Sequence, residues 1–153
     1  MTTQTAARSY TIKEAAALTG LPATTLRYYE QIGVIAPVSR GASSGHRVYD
    51  EGDLDELMWV SCLAATGMSV SDMRLYMDNN RRGAEAAADQ QRLLEEQQQR
   101  LATEARALVL RQRYVAVKVA YWQAVQAGDT TLAEQVSARA RELADELRAV
   151  THS

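Results

Sequence analysis

Between Ala84 and Ala127 the chain contains neither Gly nor Pro, and Leu94, Leu101, Leu108, Val115 and Trp122 recur there at every seventh residue. An uninterrupted stretch of this length predicts one long helix, and the seven-residue recurrence predicts a stripe that seeks another helix. With those five residues at heptad position d, position a holds Gln98, Ala105, Gln112 and Val119. One line of the seam is therefore firmly apolar and the other partly polar. Buried Gln would weaken the pairing and help to fix its register. A chain this short offers little else to cover such a stripe, so the pattern points to dimerisation.

The pattern ahead of this helix is shorter and more often broken. Thr11-Ile12-Lys13-Glu14 has the form of a capping box, opening a short helix that Thr19-Gly20 stops. Pro22 suits the first position of a second helix over Ala23 to Gln31, which ends towards Gly33. Two short helices joined by a Gly-containing turn predict a helix-turn-helix. Val34 to Pro37 then reads as extended, Gly41 to Gly45 as a turn, and His46 to Tyr49 as strand-like. A hairpin in that place is a wing.

Asp50 and Asp53 cap a third helix to Ala65, with Leu54, Leu57, Met58, Leu63 and Cys62 as its expected apolar face. Ser69 and Asp72 start a fourth, which carries Met73, Tyr76 and Met77 and ends by Gly83. After the long helix, Gly128-Asp129 is a break. Thr131 with Glu134 is then expected to cap a final amphipathic helix carrying Leu132, Val136, Leu143 and Leu147.

The expected fold is therefore mainly α: a winged helix-turn-helix head, a long coiled-coil helix and a short C-terminal helix. Its parts are a disordered lead-in at 1–9, a head at 10–83, a dimerisation helix at 84–127 and a tail helix at 128–153.

Composition refines this picture in three respects. The net charge is −2, yet up to Tyr49 the chain carries Arg8, Lys13, Arg27, Arg40 and Arg47 against Glu14 and Glu30. Five acids and no base then follow between Asp50 and Glu56. A surface for nucleic acid belongs ahead of that acidic block. The single cysteine, Cys62, excludes an intramolecular disulfide and a cysteine-cluster metal site. No apolar run is long enough to span a membrane, and the first nine residues lack the apolar region of a secretory signal. A cytoplasmic protein without a cofactor is expected.

The stretch Thr24-Thr25-Leu26-Arg27-Tyr28-Tyr29-Glu30, followed by Gln31-Ile32-Gly33, closely resembles the recognition helix of the MerR family. Gly45-His46-Arg47-Val48-Tyr49 with Asp53-Leu54 resembles that family's wing and third helix, and Thr66-Gly67-Met68-Ser69 fits its next turn. The resemblance spans Tyr10 to about Gly83 in order and spacing. It departs at Val48, where a second Arg is common, and at His46, where an aromatic is common.

The resemblance implies a homodimer with antiparallel long helices on a palindromic site in double-stranded promoter DNA. Such dimers distort the DNA and so control RNA polymerase indirectly. A recognition helix offers its N-terminal part to base edges, which places Thr24, Thr25 and Arg27 at the groove. Tyr28 and Tyr29 are expected near phosphates, Tyr29 with packing inward as its alternative. Arg40, Arg47 and Tyr49 are expected to make the wing contacts. An ion pair with Glu30 is the structural alternative for Arg27.

The effector is less defined. Metal-sensing members use cysteines near the end of the long helix, where this chain has none. One thiol-sensing branch carries a lone Cys just before the Thr-Gly turn, and Cys62 resembles that placement, as Lys118 to Tyr121 resembles the end of its long helix. The residue-level reading of Cys62 is a small buried core residue. A small organic ligand near a junction of Tyr76, Tyr114, Tyr121 and Trp122 is the other possibility, with ordinary packing as their alternative role. An excisionase-like DNA-bending protein shares the winged head but usually lacks a dimerising helix. A thiol enzyme fails because His46 and His152, the two histidines, lie in a wing turn and the tail.

Overall fold

The computed structural model describes residues 7–152. Six α-helices and one two-stranded sheet are present among them: α1 Ile12–Thr19, α2 Ala23–Gln31, β1 Ser39–Arg40, β2 Arg47–Val48, α3 Glu51–Ala65, α4 Val70–Arg82, α5 Ala87–Gln126 and α6 Thr130–Thr151. Most of the expected lead-in lies outside the described residues. The chain divides into two compact units, one extending to Leu94 and the other running from Glu95.

Local side-chain chemistry sets the helix starts in the first unit. Thr11 Oγ1 accepts from the Glu14 amide at 3.1 Å while the Thr11 amide donates to Glu14 Oε1 at 3.2 Å. Asp50 and Asp53 make the same reciprocal pair at α3, and Ser69 accepts from the Asp72 amide at α4. Each cap satisfies amides that the first helical turn leaves open. Gly20, with φ 73°, ends α1 in the left-handed region, where a side chain would be strained. The Thr19 carbonyl accepts from Ser61 Oγ at 3.1 Å, which ties the turn between α1 and α2 to α3.

These elements close around one core that includes Leu26, Tyr29, Val34, Ile35, Tyr49, Leu57, Val60, Met73 and Met77. Val34 and Ile35 enter it from bends rather than from an extended segment. In the wing β1 and β2 pair antiparallel, Ser39 with Val48 and Arg40 with Arg47, and Tyr10 bridges to Tyr49 beside them. The buried stripe of α3 runs through Leu54, Leu57 and Val60, so Met58 and Cys62 are turned outward and are exposed. The buried placement expected for Cys62 is thus corrected by helical phase.

The first unit also takes in the start of the long helix. A 3-10 turn, Gly83–Ala86, follows α4, and Ala86 and Leu93 are buried. Gln90 donates to the Tyr76 carbonyl at 3.0 Å and accepts from the Asn79 side chain at 3.2 Å, which satisfies a nearly buried amide.

In the second unit the end of α6 returns to the middle of α5, where Val150 lines a cavity with residues from Thr103 to Arg113. Gly128, with φ 72°, makes the turn, and Asp129 caps α6 by accepting from the Leu132 amide at 3.0 Å. This corrects the cap expected from Thr131 and Glu134; Asp129 follows the turn directly and starts the helix earlier.

Buried and half-buried positions on α5, Ala107, Leu110, Tyr114, Val117, Tyr121 and Ala124, alternate by three and four residues. On α6, Ala133, Val136, Ala140, Leu143, Leu147 and Val150 do the same. Alanines recur in both stripes. Leu132 falls one residue off the stripe and is exposed, contrary to expectation.

Candidate nucleic-acid interface

The start of α1, the second helix and the wing converge on one cleft of about 210 Å³. Thr11, Ile12 and Lys13 line it from α1, Arg27 from α2, and Arg40, His46 and Arg47 from the wing. Four fixed cations and the positive end of a helix thus face one small volume, an arrangement suited to phosphate oxygens. Arg27, Arg40 and Lys13 are exposed there. Arg40 also donates to the Gly45 carbonyl at 3.3 Å, which braces it across the wing turn.

Glu30 has a different partner from the one weighed in the sequence. Arg47 Nε meets Glu30 Oε2 at 2.8 Å, with both side chains largely shielded. This contact joins wing to α2 across 17 positions and leaves Arg27 free of Glu30. Arg47 still borders the cleft. Its role therefore combines positioning the wing with any anion contact.

Two expected contact residues turn inward. Tyr29 is 7% exposed and Tyr49 wholly buried, because both fall on the core side of their elements. Burial pushes both phenols up from their ordinary value. Neither ring therefore lies open on the surface of the head. Tyr49 Oη has no hydrogen-bond partner among the described residues. Removing such a hydroxyl relieves a desolvation cost. Tyr49→Phe should therefore keep DNA affinity unchanged and leave stability equal or raised by about 1 kcal/mol in chemical denaturation. A loss above that size would show that the hydroxyl has a partner.

Thr24 and Tyr28 are exposed on α2 and Thr25 is half-buried. Lys13 and His46 join the cleft although neither stood among the expected contacts. The legible signal for Lys13 was its place in the first turn of a capped helix. His46 carried none beyond its position in the wing turn.

Tyr76 packs against the core of the first unit. Tyr114 and Tyr121 lie half-buried on the α5 stripe of Ala107 to Ala124, and Lys118 stands 5.5 Å from the Tyr114 ring centre. Tyr121 meets Trp122 edge-on at 5.2 Å. Packing explains Tyr114 and Tyr121, and the large cavity of the second unit is lined by other residues. Among the described residues no group of His, Cys, Asp and Glu could hold a metal ion.

A family profile described as MerR HTH family regulatory protein matches residues 10–80. The head is a MerR-family helix-turn-helix domain. The MerR-type regulator HiNmlR, whose crystal structure is described as lacking the sensor domain and bound to promoter DNA, superposes with a TM-score of 0.66. That match has 28% identity and covers 84% of this chain and 96% of that one. The transcriptional regulator YyaN of Bacillus subtilis is 40% identical over 44% of this chain and 49% of its own length. AdhR of the same organism is 44% identical over 37% of this chain and 40% of its length. The chain thus spans about half the length or less of these curated relatives. No helix among the described residues is long and apolar enough to cross a membrane.

Proposed function

We propose that the protein is a DNA-binding transcription regulator that acts as a homodimer on a palindromic promoter site and distorts the DNA to control RNA polymerase. The observation that carries this reading is the cationic cleft of Lys13, Arg27, Arg40 and Arg47 in a MerR-type head. Phosphate contacts at the cleft fix the head on the duplex, and Thr24, Thr25 and Arg27 read base edges from α2. Bending a site of this kind costs of order 1–6 kcal/mol, which the contacts of two heads supply. HiNmlR, seen on promoter DNA, supports the choice of partner.

The second copy is assigned to the seam from Leu94 to Trp122. Its five apolar residues are 38–62% exposed, while the stripe of Ala107 to Ala124 lies roughly 150° around the helix at about 100° per residue. Charge favours an antiparallel pair. With Leu108 on the dyad, Leu101 meets the partner's Val115 and Leu94 meets the partner's Trp122. Glu104 then flanks the partner's Arg111, and both residues are exposed. A parallel pair would set Glu104 beside Val109 and Arg111 beside Ala116, with no charge complement.

Raising salt should weaken duplex binding steeply, because phosphate neutralisation releases counterions. Lys13→Ala should lower affinity for all sequences alike and flatten the salt dependence by about one unit per lost contact, about two per dimer. Binding that ignores salt would contradict the assigned cleft.

A further inference from the structure

Arg106 and Arg113 project from α5 two turns apart, on the flank between the stripe of Ala107 to Ala124 and the bare seam. Together with Val109 and Leu110, and with Val150 from the end of α6, they line a cavity of about 750 Å³. This is well within the range of small-molecule sites. Arg106 donates to Thr103 Oγ1 at 3.3 Å, which braces one edge of its guanidinium. Neither arginine has a carboxylate partner among the described residues, although ion pairs occupy Arg81, Arg92 and Arg148 elsewhere on the same helices and their neighbour α4.

We propose that this cleft binds a small amphipathic organic anion, its carboxylate held by Arg106 and Arg113 and its apolar body lying on Val109, Leu110 and Val150. Guanidinium suits this task because its planar fork meets carboxylate oxygens pairwise. The apolar lining supplies affinity that a bare inorganic anion could not gain, and the two cations reject a neutral or cationic analogue. The proposal goes beyond DNA recognition and involves none of the head residues. Ala105, also on the cavity wall, occupies a seam position, so a bound ligand sits at the margin of the surface assigned to the second copy.

The experiment is calorimetric titration of the full chain with decanoate, and with 1-decanol as its uncharged counterpart. Saturable binding of one decanoate per chain is expected, with decanol at least tenfold weaker. The Arg106→Met/Arg113→Met variant keeps the apolar length of both side chains and should bind decanoate at least tenfold more weakly. Val150→Glu, which sets a carboxylate beside the arginines, should abolish binding while circular dichroism stays unchanged. Should the arginine variant lose helicity, the decanoate-to-decanol ratio on the unaltered protein decides. Absence of saturable binding, or equal affinity for decanol, overturns the proposal. So does binding seen with a Leu101→Glu/Leu108→Glu protein but not with the unaltered one, because a second copy would then be filling the cleft.

Discussion

Replacing Leu101 and Leu108 together by Glu should turn the protein into a monomer and lower its affinity for a palindromic duplex by about a hundredfold or more. The change removes four apolar side chains per dimer from the proposed interface. Both leucines are already about half covered in the single chain, so pairing buries only the remainder. At about 1.5–3 kcal/mol for a whole side chain, the loss is about 3–6 kcal/mol. That is a large share of the association energy of a dimer of micromolar to nanomolar affinity, about 8–12 kcal/mol, and four unpaired carboxylates in the interface oppose pairing further. The substituted residues stand 38% and 54% exposed in the single chain, away from the stripe of Ala107 to Ala124, so the helical hairpin should keep its circular dichroism. Sedimentation velocity reads the outcome directly. A variant that still sediments as a dimer would place the interface elsewhere.

Arg27→Ala is expected to weaken binding to the specific site by about 1–3 kcal/mol per half-site, or roughly 5- to 150-fold, and to relax base preference at one position in each half. Arg27 is exposed on α2, and Arg47 rather than Arg27 holds Glu30, so its guanidinium is available to a base edge. Affinity measured on the specific duplex and on a random one separates two roles. Loss confined to the specific duplex marks base reading. An equal loss on both would reduce Arg27 to a phosphate contact like the one proposed for Lys13.

The sequence disclosed those parts of the fold that short-range chemistry decides. The starts of α1, α3 and α4 were legible because Thr11 with Glu14, Asp50 with Asp53, and Ser69 with Asp72 close their caps within three residues. Contacts between distant residues were not. Nothing in the spacing of Glu30 and Arg47 indicates that the wing folds onto α2, and the nearer Arg27 was the natural local partner.

Inward rotation of Tyr29 and Tyr49 was equally hidden, since a tyrosine carries both an apolar body and a polar tip and the pattern alone does not choose between them. The long helix posed a subtler difficulty. It carries two apolar stripes, one at Leu94 to Trp122 and one at Ala107 to Ala124, and the even leucine spacing of the first masks the weaker, alanine-rich pattern of the second. The helical turn of α3 likewise decides Cys62: two residues beyond Val60, it leaves the core face and reaches the surface.

Whether a symmetric pair of MerR-type heads reads a palindrome is decided by selecting bound duplexes from a random-sequence pool and sequencing them. One enriched motif is expected, an inverted repeat with half-sites on the same face of the duplex about one helical turn or a multiple of it apart. A single unpaired motif, or no enrichment over the starting pool, would contradict reading by a symmetric pair.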